Sequence, residues 1–283
     1  MKPGFAISLC LLLGAAAGLA QADSVSGAVE ASMLVTGTVE VNPDGSLHGY
    51  TLDRPERLPA PVRDVIGKVM PHWEFTLSAP SGQVVKSNMS LRVQAKPAGD
   101  GNYKLSVDGA SFGAKEKPSG ETVSYKSRKP APRYPAAALS ARVSATVYLL
   151  VRVGRDGTVQ EAIAEQVNLD QYSSESQMSL LRKQFAEASL SAAKLWTYNL
   201  PTEGERMDDP YWVVRVPVNF GLTMGSMAAK EHYGTWHPYV PGPRATPPWI
   251  SQALLSEAPD ATPDDGLDAG NSRLRLKTAL GGS

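Results

Sequence analysis

The residues Ala145 to Val153 read ATVYLLVRV and run almost directly into Arg155-Asp156-Gly157. An apolar, β-branched run that stops at Asp-Gly is a strong hairpin signal, because both turn residues tolerate the positive φ that a tight reversal requires. A returning strand is expected from Thr158 to about Val167. From Met178 to Trp196, the residues Leu181, Phe185, Ala188, Ala192 and Leu195 recur at helical spacing, with Ser173, Ser174 and Ser176 upstream as caps. The last apolar run, Trp212 to Phe220 (WVVRVPVNF), holds Pro217, which cannot donate to a ladder and belongs at a sheet edge or a bulge. The order is strand, strand, helix, strand, which defines an α+β unit with one helix on an antiparallel sheet.

The first half of the chain carries the same plan in shortened form. Apolar and polar residues alternate through Val35, Val39 and Val41, through Met89, Leu91 and Val93, and through Tyr103, Leu105 and Val107, as in half-buried antiparallel strands. Thr38 to Val41 is followed by the turn Pro43-Asp44-Gly45, then by a Pro-containing helix from Leu58 to Val69 with Val62, Val65, Ile66 and Val69 apolar. Trp73-Glu74-Phe75 matches Trp196-Thr197-Tyr198, and the sixteen-residue steps from Trp73 to Met89 and from Trp196 to Trp212 predict equivalent final strands. The expected architecture is two small antiparallel sheet-plus-helix units of β-β-α-β order, related as a divergent internal repeat.

Residues outside these units divide by composition. Met1-Lys2-Pro3-Gly4, an apolar run from Phe5 to Ala20 and the small-residue site Ala20-Gln21-Ala22 have the order of a secretory signal peptide, with cleavage expected after Ala22. The run of sixteen residues is shorter than the roughly 20 needed to span a bilayer. Cleavage would remove Cys10, the single cysteine, leaving a chain without disulfide or thiol chemistry. The divisions are therefore a signal peptide (1–22), an N-terminal α+β domain (23–112), a Lys-, Pro- and Ser-rich linker (113–131), a second domain (132–222) and a Pro-rich tail (223–283). The tail contains HPYVPGPRATPPW and EAPDATPDDGLDAG, too little apolar sequence to fold by itself, and is expected to be disordered.

Pro132-Arg133-Tyr134-Pro135, the Asp156-Gly157-Thr158-Val159 turn, Lys194-Leu195-Trp196-Thr197-Tyr198 and the strand Val213 to Phe220 together resemble the C-terminal domain of the TonB family of energy transducers. That resemblance spans about ninety residues. It implies a small periplasmic sheet packed on a helix, whose last strand pairs with a peptide at the plug end of an outer-membrane transporter. On it, Val213, Val214, Arg215, Val216, Val218, Asn219 and Phe220 are the candidate partner-binding residues. Pro217 removes one donor, so a peptide pairs through neighbouring groups or the proline protects the edge. The chain departs from the family in lacking an evident membrane anchor and a long Pro-rich spacer, which leaves proton-motive input without a route. Ala145 stands where the family commonly has Gly.

Little else in the sequence speaks for chemistry. Lys plus Arg and Asp plus Glu both number 28, a balance that argues against nonspecific nucleic-acid or membrane-surface binding. His232 and His237 flank Gly234 and precede Pro238, which suits a loop better than a metal-binding helix face. Asp208-Asp209 and Asp264-Asp265 lack a calcium-loop pattern around them. With no nucleophile-elbow, zinc-protease or phosphate-loop motif, the expectation is a binding protein rather than an enzyme, with no metal and no cofactor. The alternative is an envelope assembly protein that self-associates through its sheet edges, as a homodimer for example. Trp73 and Trp196 are expected in the cores, Tyr134 as a pin for the segment before the second unit, and Trp236 and Trp249 as anchors of the tail.

Overall fold

The computed structural model describes residues 29–77, 82–113, 120–204, 206–222, 233–250, 254, 258–262, 266–267 and 274–280. The expected signal peptide, His232 and Asp264-Asp265 lie outside these residues. The fold is α+β, with antiparallel sheets and few helices. In chain order, the first half holds β1 (Glu30–Val41), β2 (Leu47–Leu52), α1 (Ala60–Val69), β3 (Phe75–Leu77), β4 (Val85–Pro97) and β5 (Tyr103–Phe112). The second half holds β6 (Ser124–Ser127), α2 (Ala136–Ala141), β7 (Ala145–Gly154), β8 (Val159–Leu169), α3 (Glu175–Ala193), β9 (Thr197–Asn199) and β10 (Tyr211–Phe220). Two short strands follow, β11 (His237–Tyr239) and β12 (Leu274–Leu276).

The same pairing occurs in each half. In the first, β1 lies between β2 and β4; in the second, β7 lies between β8 and β10. The hairpin turns match bond for bond. Gly45 (φ 87°) and Gly157 (φ 75°) take the positive-φ position, and the carboxylates of Asp44 and Asp156 accept the backbone N–H of Ser46 and Thr158 at 2.9 and 3.0 Å. Each turn glycine also gives its carbonyl to the strand after the helix, Gly45 to the Phe75 N–H and Gly157 to the Tyr198 N–H, both at 2.8 Å. A side chain at either glycine would meet the carbonyl oxygen of that same residue, at 2.2 Å for Gly45 and 2.5 Å for Gly157, so the tight turn is held in place by its cross-connection.

The final strands are equivalent in a different register from the one that sixteen-residue spacing predicts. Val39 faces Ser87, and Val151, at the corresponding distance from its turn, faces Val214. Ser87 therefore matches Val214, and Met89 matches Val216 instead of Trp212. The loop after β9 is longer than the loop after β3, and the equal spacing was coincidental. The long helix also differs at its ends. It starts at Glu175, where the Ser174 side chain accepts the Gln177 N–H, and stops at Ala193, which leaves Leu195 exposed while Leu181, Phe185 and Ala192 are buried.

Each unit has its own core. Trp73 packs edge-on against Phe75 and Phe112 in the first, with Val62 and Ile66 of α1 fully buried. Trp196, fully buried in the second, joins Phe185, Val147, Leu149 and the inward face of β10, and donates its indole N–H to the Pro130 carbonyl. Burying one such indole removes roughly 200 Å² from water, about 5 kcal/mol at the usual coefficient. Tyr134 stacks edge-on against Phe185 and Phe220 and donates to the Val143 carbonyl at 2.7 Å, which pins the chain before α2.

The expected linker and the tail that was expected to be disordered both contribute strands to the fold. The later part of the linker forms β6, which pairs with β9, and Val123 is buried in the second core. In the tail, β11 pairs with β1, and β12 with β3. Trp236 packs on the first core, and Trp249 on a small cluster of Leu150, Val213 and Leu254. Composition undervalues these segments because they bury apolar groups against finished sheets instead of against one another.

Candidate functional site

The residues expected to bind a partner form the outermost strand of their sheet. All ten residues of β10 pair with β7, from Tyr211 opposite Gly154 to Phe220 opposite Ala145. On its other flank, among the described residues, β10 pairs with no strand. Pro217 has no N–H, and its carbonyl accepts from Arg128 Nη2 at 2.5 Å, so the polar edge of this residue is turned away from β7. Antiparallel strands alternate the direction of their polar groups with period two, so Val213 presents its N–H and C=O on that same outer side. Arg128 is held there by the faces of Trp196 and Tyr125, 5.1 and 5.3 Å from the ring centres.

The side chains of this strand are buried almost throughout. Val214, Val216, Val218 and Phe220 point into the main core, and Val213 is covered by Leu254. Arg215 is wholly buried and makes a two-pronged ion pair with Glu165, at 2.7 and 3.1 Å, while donating to the Leu254 carbonyl at 2.6 Å. Arg244 joins the same carboxylate at 2.7 Å. Of the seven candidates only Asn219 is exposed. What this edge offers a partner is main chain, because four of the side chains fill the core and Val213 and Arg215 lie under the tail.

The opposite edge of the sheet is closed. Leu169 and Val240 exchange both main-chain hydrogen bonds, at 3.1 and 2.7 Å, and Ala245 donates to the Glu165 carbonyl at 2.7 Å. Gly242 fits because a Cβ there would lie 2.3 Å from the Val167 carbonyl. The tail thus runs from β1 of the first unit onto β8 of the second and joins the two.

Between the units lies a cleft of about 330 Å³, lined by Arg92, Tyr148, Asn168, Asp170, His237 and Asp260 among others. Arg92 and Asp260 are both buried, with Arg92 Nε 2.6 Å from the Asp260 carbonyl and 3.9 Å from its carboxylate. Beside it, burial raises the Glu30 carboxyl above its ordinary value, against the opposing pull of Lys96 and of the Tyr239 hydroxyl. His237 Nε2 is buried with no hydrogen-bond partner. Among the described residues no three His, Cys, Asp or Glu side chains come together as metal ligands. Asp208 and Asp209 are in a turn, paired with Arg155 and Arg206.

Sequence reasoning did not single out Arg128 or Glu165. Arg128 sits in a basic, Pro-flanked stretch that reads as linker, and no local signal marks it. Glu165 lies in β8 and Arg215 in β10, with β7 between them, so no local signal marks that pair either. Among the described residues, no helix is long and apolar enough to cross a membrane. In comparisons with known proteins, no family model, no curated protein and no solved structure matches this chain.

Proposed function

We propose that this chain is a periplasmic peptide-binding module of TonB C-terminal-like design, which takes an extended segment of a partner, such as the plug end of an outer-membrane transporter, as an added strand on β10. One observation carries the reading. The counterpart of β10 in the first unit is β4, and the flank of β4 that faces away from β1 holds β5 over Met89–Pro97. The two units are read as a divergent repeat on the strength of their matched turns and pairings, so β10 has a flank of the kind that its counterpart fills with a strand. Strand addition gains affinity from main-chain bonds, which suits an edge whose side chains are buried. Pro217 and Arg128 interrupt the flank at its middle and discourage indiscriminate pairing, as edge prolines and charges do elsewhere. The order of charged, apolar and small residues over Met1–Ala22 supports an envelope location in this reading.

The test uses the full chain without residues 1–22, labelled with ¹⁵N, and a synthetic peptide from the plug end of an outer-membrane transporter. Binding is expected to slow exchange of the Val213 amide and to shift resonances along β10. Val213→Pro removes one outward donor at a position where an edge strand tolerates proline, and should weaken the peptide by about tenfold. Unchanged binding by that variant, with the fold intact by circular dichroism, would argue against addition at β10. Concentration-dependent dimers with no response to peptide would point instead to an assembly protein.

A further inference from the structure

We infer that β3 of the first unit is a second strand-acceptor slot, open in kind to an extended peptide from another protein and occupied in this structure by the chain's own segment Leu274–Leu280. Leu274, Arg275 and Leu276 pair antiparallel with Leu77, Thr76 and Phe75. The Lys277 N–H then donates to the Glu74 carbonyl at 2.8 Å, and the Thr278 hydroxyl accepts the Glu74 N–H at 2.9 Å. Lys277 Nζ lies 3.1 Å from the Glu74 carboxylate.

Burial alternates along the whole segment. Leu274, Leu276, Thr278 and Leu280 turn inward, and Arg275, Lys277 and Ala279 are exposed. Leu274 is 1% exposed, and Leu276 and Leu280 pack on the first core. Beyond the paired strand, residues 278–280 line a groove of about 280 Å³ with Val65, Val69, Trp73 and Leu105. This is the way a peptide is bound by strand addition: main chain for affinity, alternate side chains in apolar seats.

The second unit shows that the slot is not specific to one sequence. Tyr198 of β9 is the counterpart of Phe75, and each donates its N–H to the turn glycine of its own unit. The strand paired with β9 is β6, also antiparallel, with Ser124 opposite Asn199 and Tyr125 opposite Tyr198. So one kind of slot holds Leu-Arg-Leu in one unit and Ser-Tyr-Lys-Ser in the other. In the first unit the strand comes from about two hundred residues later in the chain, and in the second from before the unit. A slot filled in one polarity by unrelated segments from opposite sequence directions reads extended main chain, with alternate apolar seats in the first unit, and not a particular connection. The ligand class is an extended peptide with aliphatic residues at its first, third and seventh positions, a basic residue at the fourth to meet Glu74 and a small hydroxyl residue at the fifth.

The probe is the labelled peptide LRLKTAL, offered to the full chain and to a chain ended at Asn271. The shortened chain is expected to bind it and to gain thermal stability as peptide is added, while the full chain binds at least tenfold more weakly because its own segment competes at high effective concentration. Replacing the lysine of the peptide with proline removes the donor to Glu74 and should cost about tenfold. A peptide that keeps the alternation with other residues, LKLRSGL, should bind within about tenfold of the first, and LLRKTAL, which breaks it, should not. If the shortened chain fails to fold, full-length Leu276→Asp loosens the same strand and must acquire peptide binding. The inference is overturned if a folded chain with the slot vacated ignores LRLKTAL, if only the native sequence binds, or if the full chain merely exchanges this strand between copies and forms dimers.

Discussion

Glu165 is the residue on which the interior charge of the second unit depends. It neutralises Arg215, which is fully buried, and it also holds Arg244, whose side chain is 32% exposed. Removing one member of a buried pair is costly because the other keeps its charge in a poorly solvated place. Glu165→Ala is therefore expected to lose about 3–5 kcal/mol, and Arg244→Ala about 1 kcal/mol or less, since part of that guanidinium already meets water. Urea denaturation of the two variants measures this, and equal losses would refute the ranking. Glu30 governs a pH effect. Burial raises its native pKa above the unfolded value, so folded protein holds the proton more tightly than unfolded protein does. Its stabilising contribution is full below the unfolded pKa of about 4, falls as pH rises through the native value and is then constant. Glu30→Gln should flatten that decline, and urea midpoints taken from acid to neutral pH would show it. These charges were hard to read from sequence because Glu165 and Arg215 are far apart along the chain and meet only across three strands.

At the scale of elements, what was legible followed from local signals. The Asp-Gly turns, the helix that carries Leu181 and Phe185, and the edge position of the Pro217 strand all stand where spacing and turn chemistry put them. The register between the halves did not, because equal spacing from Trp73 and Trp196 ignores loops of different length. Nor did β6, β11 and β12, which are too short to stand out from their surroundings and become strands only beside a partner. The contact of the tail with β8 is the most exacting of these. Gly242→Val is expected to lift the tail from β8, since its Cβ would meet the Val167 carbonyl. Hydrogen exchange should then accelerate at the Leu169 amide, which donates to Val240, while the amides of β4 stay protected. Exchange at Leu169 that stays as slow as in the parent protein would contradict the close fit.

For the whole molecule, the compositional boundaries around the second unit leave out parts that complete it. A fragment of residues 132–222 lacks β6, Arg128 and the tail segment on β8, and should be less stable than a fragment of residues 120–254 by several kcal/mol. Matching thermal midpoints for the two would show that these segments only decorate the unit. The candidate binding edge was legible as an edge, yet the cover over Val213 and Arg215 was not, because Leu254 lies in a segment that composition alone calls unstructured.

The pairing of β3 with a strand synthesised about two hundred residues later also bears on how the protein is made. At ordinary translation rates that interval is on the order of 10 to 40 seconds. Throughout it the seat on β3 of the nascent first unit has not yet met the segment that fills it, at the crowded surface of a ribosome. Holding chaperones, which bind such surfaces, would have their longest window of opportunity there.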